Sequence, residues 1–256
     1  MPAYTLEDDL SLAHRLIDVA SEVALEYFRA DPSVTSKADG TPVTAADVQV
    51  ERRMLDLLRR ERPDDAILSE EAGESGSGNR RWIIDPIDGT WNFIEGRESW
   101  GTHVALECGA DDILLGVVSR PVMSARWSGA KGCGAFKSTV NSAGDGSRLA
   151  TSSSGFSEST RLVLWGLDDH PATGRFKERG VWVEPYFEAI LDVAEGKLAA
   201  CVDATGKPRD LAPYVRIIEE AGGSFSDLTG GRSIRAGGGC FSNGHVHAAV
   251  LAALAT

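Results

Sequence analysis

The chain has 256 residues, which is long enough for one large domain or two joined halves around a buried core. Its composition is that of a globular protein, and its formal net charge of −12 disfavours nucleic acid and anionic membrane surfaces as partners. No apolar run approaches the roughly 20 residues of a membrane-spanning helix, and the acidic start is unlike a signal peptide. These features predict a soluble, cytoplasmic protein.

The four cysteines are widely spaced and include no CxxC pair. A zinc site or a disulfide framework is therefore not expected, and the thiols are predicted to be reduced. Because the chain is acidic overall, bulk charge would not attract an anionic substrate. A bound divalent cation could supply that attraction.

The first part of the chain shows helical periodicity followed by strand patterns. Apolar residues three and four positions apart predict a helix over 6–30, and Thr44 is the expected N-cap of a second helix that ends near 60. The stretch 31–43 between them is rich in turn-forming residues and predicts an exposed loop. Next come a short strand at 66–68, a Gly/Ser loop at 73–78, and strands at 82–84, 100–107, 113–119, 124–128 and 134–137.

Strands alternate with helices in the second part of the chain. The polar residues 141–146 mark a boundary between an N-terminal half, 1–140, and a C-terminal half, 147–256, and the two halves are expected to form one compact unit. This order of elements predicts an α+β half followed by an α/β half. The predicted strands are 161–165, 198–202 and 240–242, and the predicted helices are 186–195, 210–221 and 245–255.

The segment WIIDPIDGTWNF, residues 82–93, is the sharpest local motif. An apolar strand ends at Asp85, and Asp88 and Gly89 follow within four residues. Active sites of α/β proteins gather at such strand ends, and a glycine allows a backbone N–H to approach a ligand closely. A hairpin with an Asp-Gly turn is the alternative. It would leave Asp85 as an unpaired acid on a strand of Trp and Ile, which is costly.

Three further acids could complete a site with this motif. Asp47 lies early in the second predicted helix, Glu70 follows the strand at 66–68, and Asp210 begins a later helix. Each alone also fits a structural role in a first helical turn or in a solvated loop. Oxygen ligands without clustered His or Cys favour Mg²⁺ or Ca²⁺ over zinc. Two metal ions that share a carboxylate would suit phosphoester hydrolysis.

A different phosphatase class has a related motif. The haloacid-dehalogenase phosphatases place a nucleophilic Asp after an apolar strand, in a DxDGT-like sequence. Here two residues, not one, separate Asp85 from Asp88. This spacing puts the second acid out of phase with that motif, and we therefore disfavour this class.

The motif DPIDGTWNF at 85–93, preceded by SEE at 69–71 and PVTAAD at 42–47, resembles the inositol monophosphatase family. The order and spacing of the motifs match over most of the chain. The resemblance implies a layered αβαβα sandwich of the inositol monophosphatase and fructose-bisphosphatase type, usually assembled as a homodimer. It also implies a lithium-sensitive phosphatase that requires Mg²⁺, for which Mn²⁺ could substitute.

The metal ligands follow from the resemblance position by position. Glu70, Asp85 and the carbonyl of Ile87 would hold one Mg²⁺ ion, and Glu70 is also expected to be catalytic. Asp85, Asp88 and Asp210 would hold a second ion. The resemblance thus implies that Asp85 bridges two metals.

Further roles follow from the same resemblance. Asp47 and Thr90 would position and deprotonate the attacking water. The backbone N–H groups of Gly89 and Thr90 would bind the phosphate at a helix N-terminus. The loop 31–43 corresponds to a segment near the site that could bring in a third metal ion.

Departures from the family pattern concern the substrate more than the reaction. Arg209 stands where the family typically has Trp, and Asp203 stands where it usually has Glu. Arg209 could be a surface change, or it could meet an additional anionic group on the substrate. The predicted substrate contacts are Asp203, Arg209, Trp91 and Glu188.

The segment SRPVMSARWSGAKGCGAF, 119–136, resembles the actinobacterial histidinol-phosphatase branch of the family. The expected reaction is therefore hydrolysis of histidinol phosphate to histidinol, with helix 186–195 and Asp203 shaping a pocket for a cationic amino alcohol. Inositol-1-phosphate and a sugar or nucleoside monophosphate are the alternative substrates. A metal- or phosphate-binding relative without turnover is a further hypothesis, disfavoured because Asp47 and Thr90 are present.

Overall fold

The structure, a computed structural model, describes residues 4–28, 34–36, 42–139 and 146–255. Helices and two large sheets alternate in layers. The helices are α1 (Leu6–Phe28), α2 (Ala45–Glu61), α3 (Thr90–Ile94), α4 (Pro171–Glu178), α5 (Ala189–Ala194), α6 (Pro208–Glu220) and α7 (His247–Leu254). The strands are β1 (Val34–Ser36), β2 (Pro42–Thr44), β3 (Ala66–Ser69), β4 (Gly73–Ser75), β5 (Arg80–Asp88), β6 (Gly101–Cys108), β7 (Ile113–Arg120), β8 (Ala125–Ala130), β9 (Gly134–Thr139), β10 (Ser147–Arg148), β11 (Leu162–Trp165), β12 (Trp182–Val183), β13 (Ala200–Asp203), β14 (Ser224–Ser226) and β15 (Gly239–Ser242).

The larger sheet has eight strands in the order β10-β9-β8-β7-β6-β5-β3-β4. All neighbouring strands are antiparallel except β3 and β5. These two strands run parallel because the chain returns along β3 as the antiparallel strand β4 before it enters the sheet again as β5. Side chains of β5 alternate between the two faces, as the pleat requires. Trp82 and Ile84 pack in the core with α1 and α2, whereas Ile83 packs in the core that contains α6.

Helix α6 lies directly on the second face of this sheet. A Cβ at Gly116 would be 2.0 Å from the carbonyl oxygen of Pro213, and a Cβ at Gly129 would be 2.9 Å from Cα of Ile217. These contacts show that only glycine allows the helix backbone to come this close to β7 and β8. The close contact fixes the position of the N-terminus of α6, which carries Asp210.

The smaller sheet has five strands in the order β12-β11-β13-β15-β14. One face shares the α6 core through residues such as Phe225 and Phe241. The other face is covered by α4 and α7, where Phe176 and Val250 pack against Leu164. The layers are therefore α1 and α2, the eight-stranded sheet, α5 and α6, the five-stranded sheet, and α4 with α7. This arrangement confirms the predicted αβαβα sandwich.

Some predicted elements differ from the structure. The helix predicted over 186–195 is wrong in extent, because α5 begins only at Ala189 and the residues after Pro185 form a turn that lines cavities. The loop predicted at 73–78 contains β4. The loop predicted at 31–43 contains the antiparallel pair β1 and β2, and its other residues lie outside the described ranges.

The division into halves at 141–146 stays a prediction, since 141–145 lie outside the described residues. Strand β10 after that boundary still pairs with β9 of the larger sheet. No helix within the described ranges is long and apolar enough to cross a bilayer. All four cysteines are free thiols, of which Cys201 and Cys240 are buried, Cys108 is half-buried and Cys133 is exposed.

Candidate metal and phosphate site

A bulge in β5 brings the two acids of the central motif together. Asp85 pairs with His103 on β6, whereas Asp88 pairs with Gly101, so β5 advances three residues while β6 advances two. The extra residue interrupts the alternation of side chains at the strand end. As a result, carboxylate oxygens of Asp85, Asp88 and Asp210 lie within 4.8 Å of one another.

The backbone after the bulge turns sharply into α3. Gly89 has a φ of 82°, in the left-handed region that favours glycine. A Cβ at this position would also be 2.8 Å from the ring of Phe187. The Thr90 hydroxyl donates a hydrogen bond to the carbonyl oxygen of Ile87 at 3.1 Å. This bond joins two predicted site groups and fixes the turn between them.

Asp210 and Asp47 both cap the helices in which they lie. Oδ2 of Asp210 accepts a hydrogen bond from the backbone N–H of Lys207 at 2.8 Å. Oδ2 of Asp47 accepts hydrogen bonds from the backbone N–H and the hydroxyl of Thr44, both at 2.7 Å. The capping role is therefore real for both acids. Asp210 also belongs to the carboxylate cluster, whereas Asp47 is buried at the start of α2.

Glu70 depends on a residue that the sequence did not single out. Glu51 of α2 is buried and accepts hydrogen bonds from the Ser69 hydroxyl at 3.1 Å and from the backbone N–H of Glu71 at 2.8 Å and Ala72 at 2.6 Å. These bonds hold the turn on both sides of Glu70. Glu51 thus positions a predicted metal ligand without contacting the cleft.

The predicted ligands share a cavity of about 380 Å³, which we call the carboxylate cleft. The backbone of residues 87–89 and the exposed Trp91, whose side chain is 63% accessible, form its other walls. Asp47 is not part of the lining formed by the described residues. Among the residues that do line the cleft are Glu70, Asp85, Asp88, Thr90, Arg209 and Asp210.

The carboxylates of the cleft differ in their electrostatic environments. Burial, together with the charges of Glu70, Asp88 and Asp210, raises the pKa of Asp85 well above its usual range. Burial and the charge of Asp88 raise the pKa of Asp210 to about 6. The pKa of Asp88 is lowered, because His103 and Arg120 outweigh the effect of its burial. The cluster therefore contains more negative charge than its protein neighbours offset.

A buried network on β6, β7 and α6 surrounds Asp88. Oδ2 of Asp88 lies 3.1 Å from Nε2 of His103 and 3.7 Å from Nη2 of Arg120. The Tyr214 hydroxyl accepts a hydrogen bond from Arg120 at 2.9 Å and lies 3.1 Å from Nε2 of His103. The guanidinium of Arg120 also stacks on the Phe187 ring at 4.4 Å. These contacts restrict the orientation of the Asp88 carboxylate.

The donors of the cleft fit a hard divalent cation. The cluster offers carboxylate oxygens, without a thiolate or an imidazole among its three members. Oδ1 of Asp85 is buried and makes no hydrogen bond within the described ranges. A buried carboxylate oxygen without a hydrogen-bond donor is costly unless a cation meets it. The buried Oδ1 of Asp85 is thus the oxygen atom of the cluster for which a bound metal ion would offset the largest desolvation cost.

Arg209 lies inside the cleft, and the surface alternative is thereby excluded. Its side chain is only 20% exposed, and its Nη2 donates a hydrogen bond to Oε1 of Glu70 at 2.8 Å. The guanidinium Nε is 3.5 Å from Oδ2 of Asp85. This contact could not be predicted from the local sequence, because Glu70 is 139 residues away along the chain.

A second cavity, which we call the aromatic cavity, adjoins the carboxylate cleft and has a volume of about 180 Å³. Phe187 and Trp165 line both spaces. The predicted substrate contact Asp203 lies in the aromatic cavity, whereas Glu188 lines a separate cavity beside Trp127. The lining of the aromatic cavity includes Asp88, Trp165, Tyr186, Phe187, Asp203 and Asp210.

Comparison with known proteins identifies the family to which the chain belongs. The sequence model of the inositol monophosphatase family matches residues 5–256. The chain belongs to the inositol monophosphatase family. Members of this family are metal-dependent phosphatases, and the chain is accordingly a metal-dependent phosphoric monoester hydrolase.

Individual relatives cover almost the whole chain. A Streptomyces coelicolor protein named histidinol-phosphatase is 37% identical, over 98% of this chain and 97% of its own length. A Streptomyces griseus protein named glucose-1-phosphate thymidylyltransferase is 41% identical, over 88% of both chains. A solved inositol monophosphatase from Zymomonas mobilis is 29% identical and superposes with a TM-score of 0.82, over 99% of this chain and 100% of its own. The last similarity confirms the fold of this inositol monophosphatase family member.

Proposed function

We propose that the chain is an Mg²⁺-dependent histidinol-phosphate phosphatase that releases histidinol. The observation that carries this proposal is the aromatic cavity beside Asp88 and Asp210, which combines the rings of Trp165 and Tyr186 with the carboxylate of Asp203. Histidinol carries a protonated amine and a flat imidazole ring. A carboxylate and aromatic faces are the groups that bind such a cation and such a ring.

The carboxylate of Asp203 is suited to hold the amine. Its Oδ1 accepts hydrogen bonds from the backbone N–H and the hydroxyl of Thr205, both at 2.8 Å, and from the backbone N–H of Gly206 at 3.0 Å. All three bonds use the same oxygen, which fixes the side chain and leaves Oδ2 for a donor of the ligand. The name of the Streptomyces coelicolor relative supports the same alcohol.

The carboxylate cleft would hold two or three Mg²⁺ ions, with Mn²⁺ as a substitute. Glu70, Asp85 and the Ile87 carbonyl are the proposed ligands of one ion, and Asp85 with Asp88 and Asp210 of a second. Bound Mg²⁺ supplies positive charge that offsets the charge developing on the phosphoryl group.

The phosphate and the attacking water would be held by the chain's own groups. Gly89 and Thr90 line the carboxylate cleft, and we propose that their backbone N–H groups bind the phosphate. Asp47 and Thr90 would orient the water and take its proton, with Glu70 as a further catalytic residue. The hydrogen bond from the Thr90 hydroxyl to the Ile87 carbonyl supports a position for Thr90 beside the proposed metal ligands.

A phosphate-release assay over a panel of esters tests this proposal. The panel comprises histidinol phosphate, inositol-1-phosphate, glucose-1-phosphate, a nucleoside monophosphate and p-nitrophenyl phosphate, each with Mg²⁺. We expect kcat/KM for histidinol phosphate to exceed each other value by about tenfold or more, the discrimination that one charged contact provides. A higher kcat/KM for inositol-1-phosphate or for a sugar or nucleoside ester would contradict the proposal that histidinol phosphate is the substrate.

Two further measurements test the alternatives of a binding protein without turnover and of a nucleotidyltransferase. Absence of chelator-sensitive turnover on every ester would support a binding protein without catalysis. Incubation with dTTP and glucose-1-phosphate addresses the transferase named for the Streptomyces griseus relative. We expect no nucleotide sugar in that reaction, and its formation would contradict the assignment of water as the acceptor.

We also propose that the protein acts as a homodimer in the cytoplasm on a small phosphate ester, without nucleic acid or a membrane as partner. The net charge of −12 supports the exclusion of nucleic acid and of anionic membrane surfaces. Light scattering should then give twice the chain mass of 27.3 kDa. A monomeric mass at micromolar concentration would contradict the dimer.

A further inference from the structure

Arg209 places a permanent positive charge among the carboxylates of the cleft. Besides its bond to Glu70, its Nε lies 3.5 Å from Oδ2 of Asp85 and 3.8 Å from Oδ1 of Asp210. A guanidinium does not lose its proton in a protein, so this charge is present at every pH at which the chain is folded. Arg209 is therefore a counter-ion for the same acids that would hold metal.

The contacts of Arg209 are unequal across the cleft. Among the described residues, its Nη2 donates a hydrogen bond to Glu70 at 2.8 Å, whereas its Nε lies farther from Asp85, at 3.5 Å, and from Asp210, at 3.8 Å. The oxygens that already converge within 4.8 Å belong to Asp85, Asp88 and Asp210. One proposed metal position is thus assembled, whereas the position that uses Glu70 is engaged by the guanidinium.

We propose that Arg209 is an in-built counter-ion that a metal must displace from Glu70, so that the two metal positions of this chain differ in affinity. The position formed by Asp85, Asp88 and Asp210 fills first. The position that uses Glu70 fills second and more weakly, because its occupation breaks a charge-assisted hydrogen bond. A Trp at this place, as the family pattern has, would carry no such charge. This inference rests on the proposed metal site.

The two variants Arg209→Gln and Arg209→Lys separate charge from shape. Gln removes the charge but keeps a polar side chain, whereas Lys keeps the charge and loses the planar fork. Arg232→Gln is the matched control, because it removes one positive charge from an exposed ion pair with Glu219 at the other end of α6. Mn²⁺ binding to each protein is measured by calorimetry and by electron paramagnetic resonance, without substrate.

We expect the wild type and Arg232→Gln to bind Mn²⁺ in two resolved steps. In Arg209→Gln the weaker step should tighten about tenfold, the size expected from a lost charge-assisted hydrogen bond. The stronger step should tighten by a smaller factor, because its ligands Asp85 and Asp210 lie near Arg209 without a hydrogen bond to it. Arg209→Lys should resemble the wild type. Unchanged steps in Arg209→Gln, or equal tightening of both steps, would overturn the proposal.

A second measurement does not depend on resolving the two steps. In chelator, Arg209→Gln should unfold at a lower temperature than the wild type, since Glu70 and Asp85 lose their counter-ion, and Mn²⁺ should raise its Tm by a larger increment. An equal increment in both proteins would contradict the inference. If no protein in the series binds Mn²⁺, the proposed metal site itself fails, which is a different result from binding that ignores Arg209.

Discussion

The carboxylate cleft and the aromatic cavity adjoin each other but are built from the chain in different ways. The cleft takes Asp85, Asp88 and the turn that follows from one continuous segment, and a helix start adds Asp210. The aromatic cavity combines ends of β11 and β13 with the turn before α5. A continuous segment that carries several site residues leaves a sequence motif, whereas residues contributed one or two at a time by separate elements do not. The motif therefore identifies the reaction and not the alcohol.

Phe187 is the point where the two regions meet. Its ring lines both spaces, lies against the position of Gly89 and stacks under Arg120. If the division of labour is correct, changes in the cleft should affect all phosphate esters equally. Changes in the aromatic cavity should affect only esters of the matching alcohol. The following variants test that division with histidinol phosphate and p-nitrophenyl phosphate as the two substrates.

Asp88→Asn should have the largest effect. The amide keeps the shape but removes a negative charge from the carboxylate cluster that we propose to hold the metal ions. A loss of several kcal/mol of transition-state stabilisation corresponds to a loss of about 10³-fold in kcat. The loss should be the same for both substrates, and circular dichroism should show an intact fold. Near-normal turnover in this variant would remove Asp88 from the metal site.

Tyr214→Phe should have an intermediate effect. The change deletes the hydroxyl that contacts Arg120 and His103, and it loosens the network around Asp88 while the ring stays in place. Loss of a group that orients a metal ligand costs about 10- to 100-fold in metal affinity or activity. We expect a lower apparent Mg²⁺ affinity for both substrates.

The matched control for this variant is Tyr27→Phe, since Tyr27 packs against the core formed with α1 and α2. It should leave the Mg²⁺ dependence unchanged. A Tyr214→Phe protein with the Mg²⁺ titration curve of the wild type would show that the network stabilises the fold and does not position Asp88.

Asp203→Asn should have the smallest and most selective effect. Removing the charge that we propose to meet the substrate amine should raise KM for histidinol phosphate about tenfold, the size expected for one charged hydrogen bond. The same change should alter KM for p-nitrophenyl phosphate less than about twofold. An equal rise for both substrates would contradict the assignment of the aromatic cavity to the alcohol.

The sequence predicted the acidic cluster because its members lie at recognisable places. A strand end, a short turn and a helix start each carry an acid, and the fold brings Asp85, Asp88 and Asp210 together. The succession of helices and strands was also predictable, since helical and strand periodicities are local properties. The layered sandwich itself was implied by the resemblance to the family and not by these periodicities. Helix boundaries were less accurate: the residues 186–188 before α5 form a turn beside cavities and not a helical turn.

The residues that orient the cluster could not be predicted in the same way. Tyr214 is 111 residues from His103, and Ser69 is 18 residues from Glu51, so these contacts depend on sheet register and helix docking. The local indication was a polar side chain within a strand that carries several apolar residues, as for His103 in β6. The contact of Arg209 with Glu70 could be predicted only from the three-dimensional fold, since it joins residues from the two parts of the chain.

Metal add-back to the wild-type protein tests the central claim most directly. The protein is dialysed against a chelator and then titrated with Mg²⁺ while phosphate release from histidinol phosphate is measured. We predict that no turnover occurs in the chelator and that Mg²⁺ restores it along a saturable curve, in line with a carboxylate cleft that needs a cation. Turnover that persists in the chelator, or that Mg²⁺ fails to restore, would contradict the account.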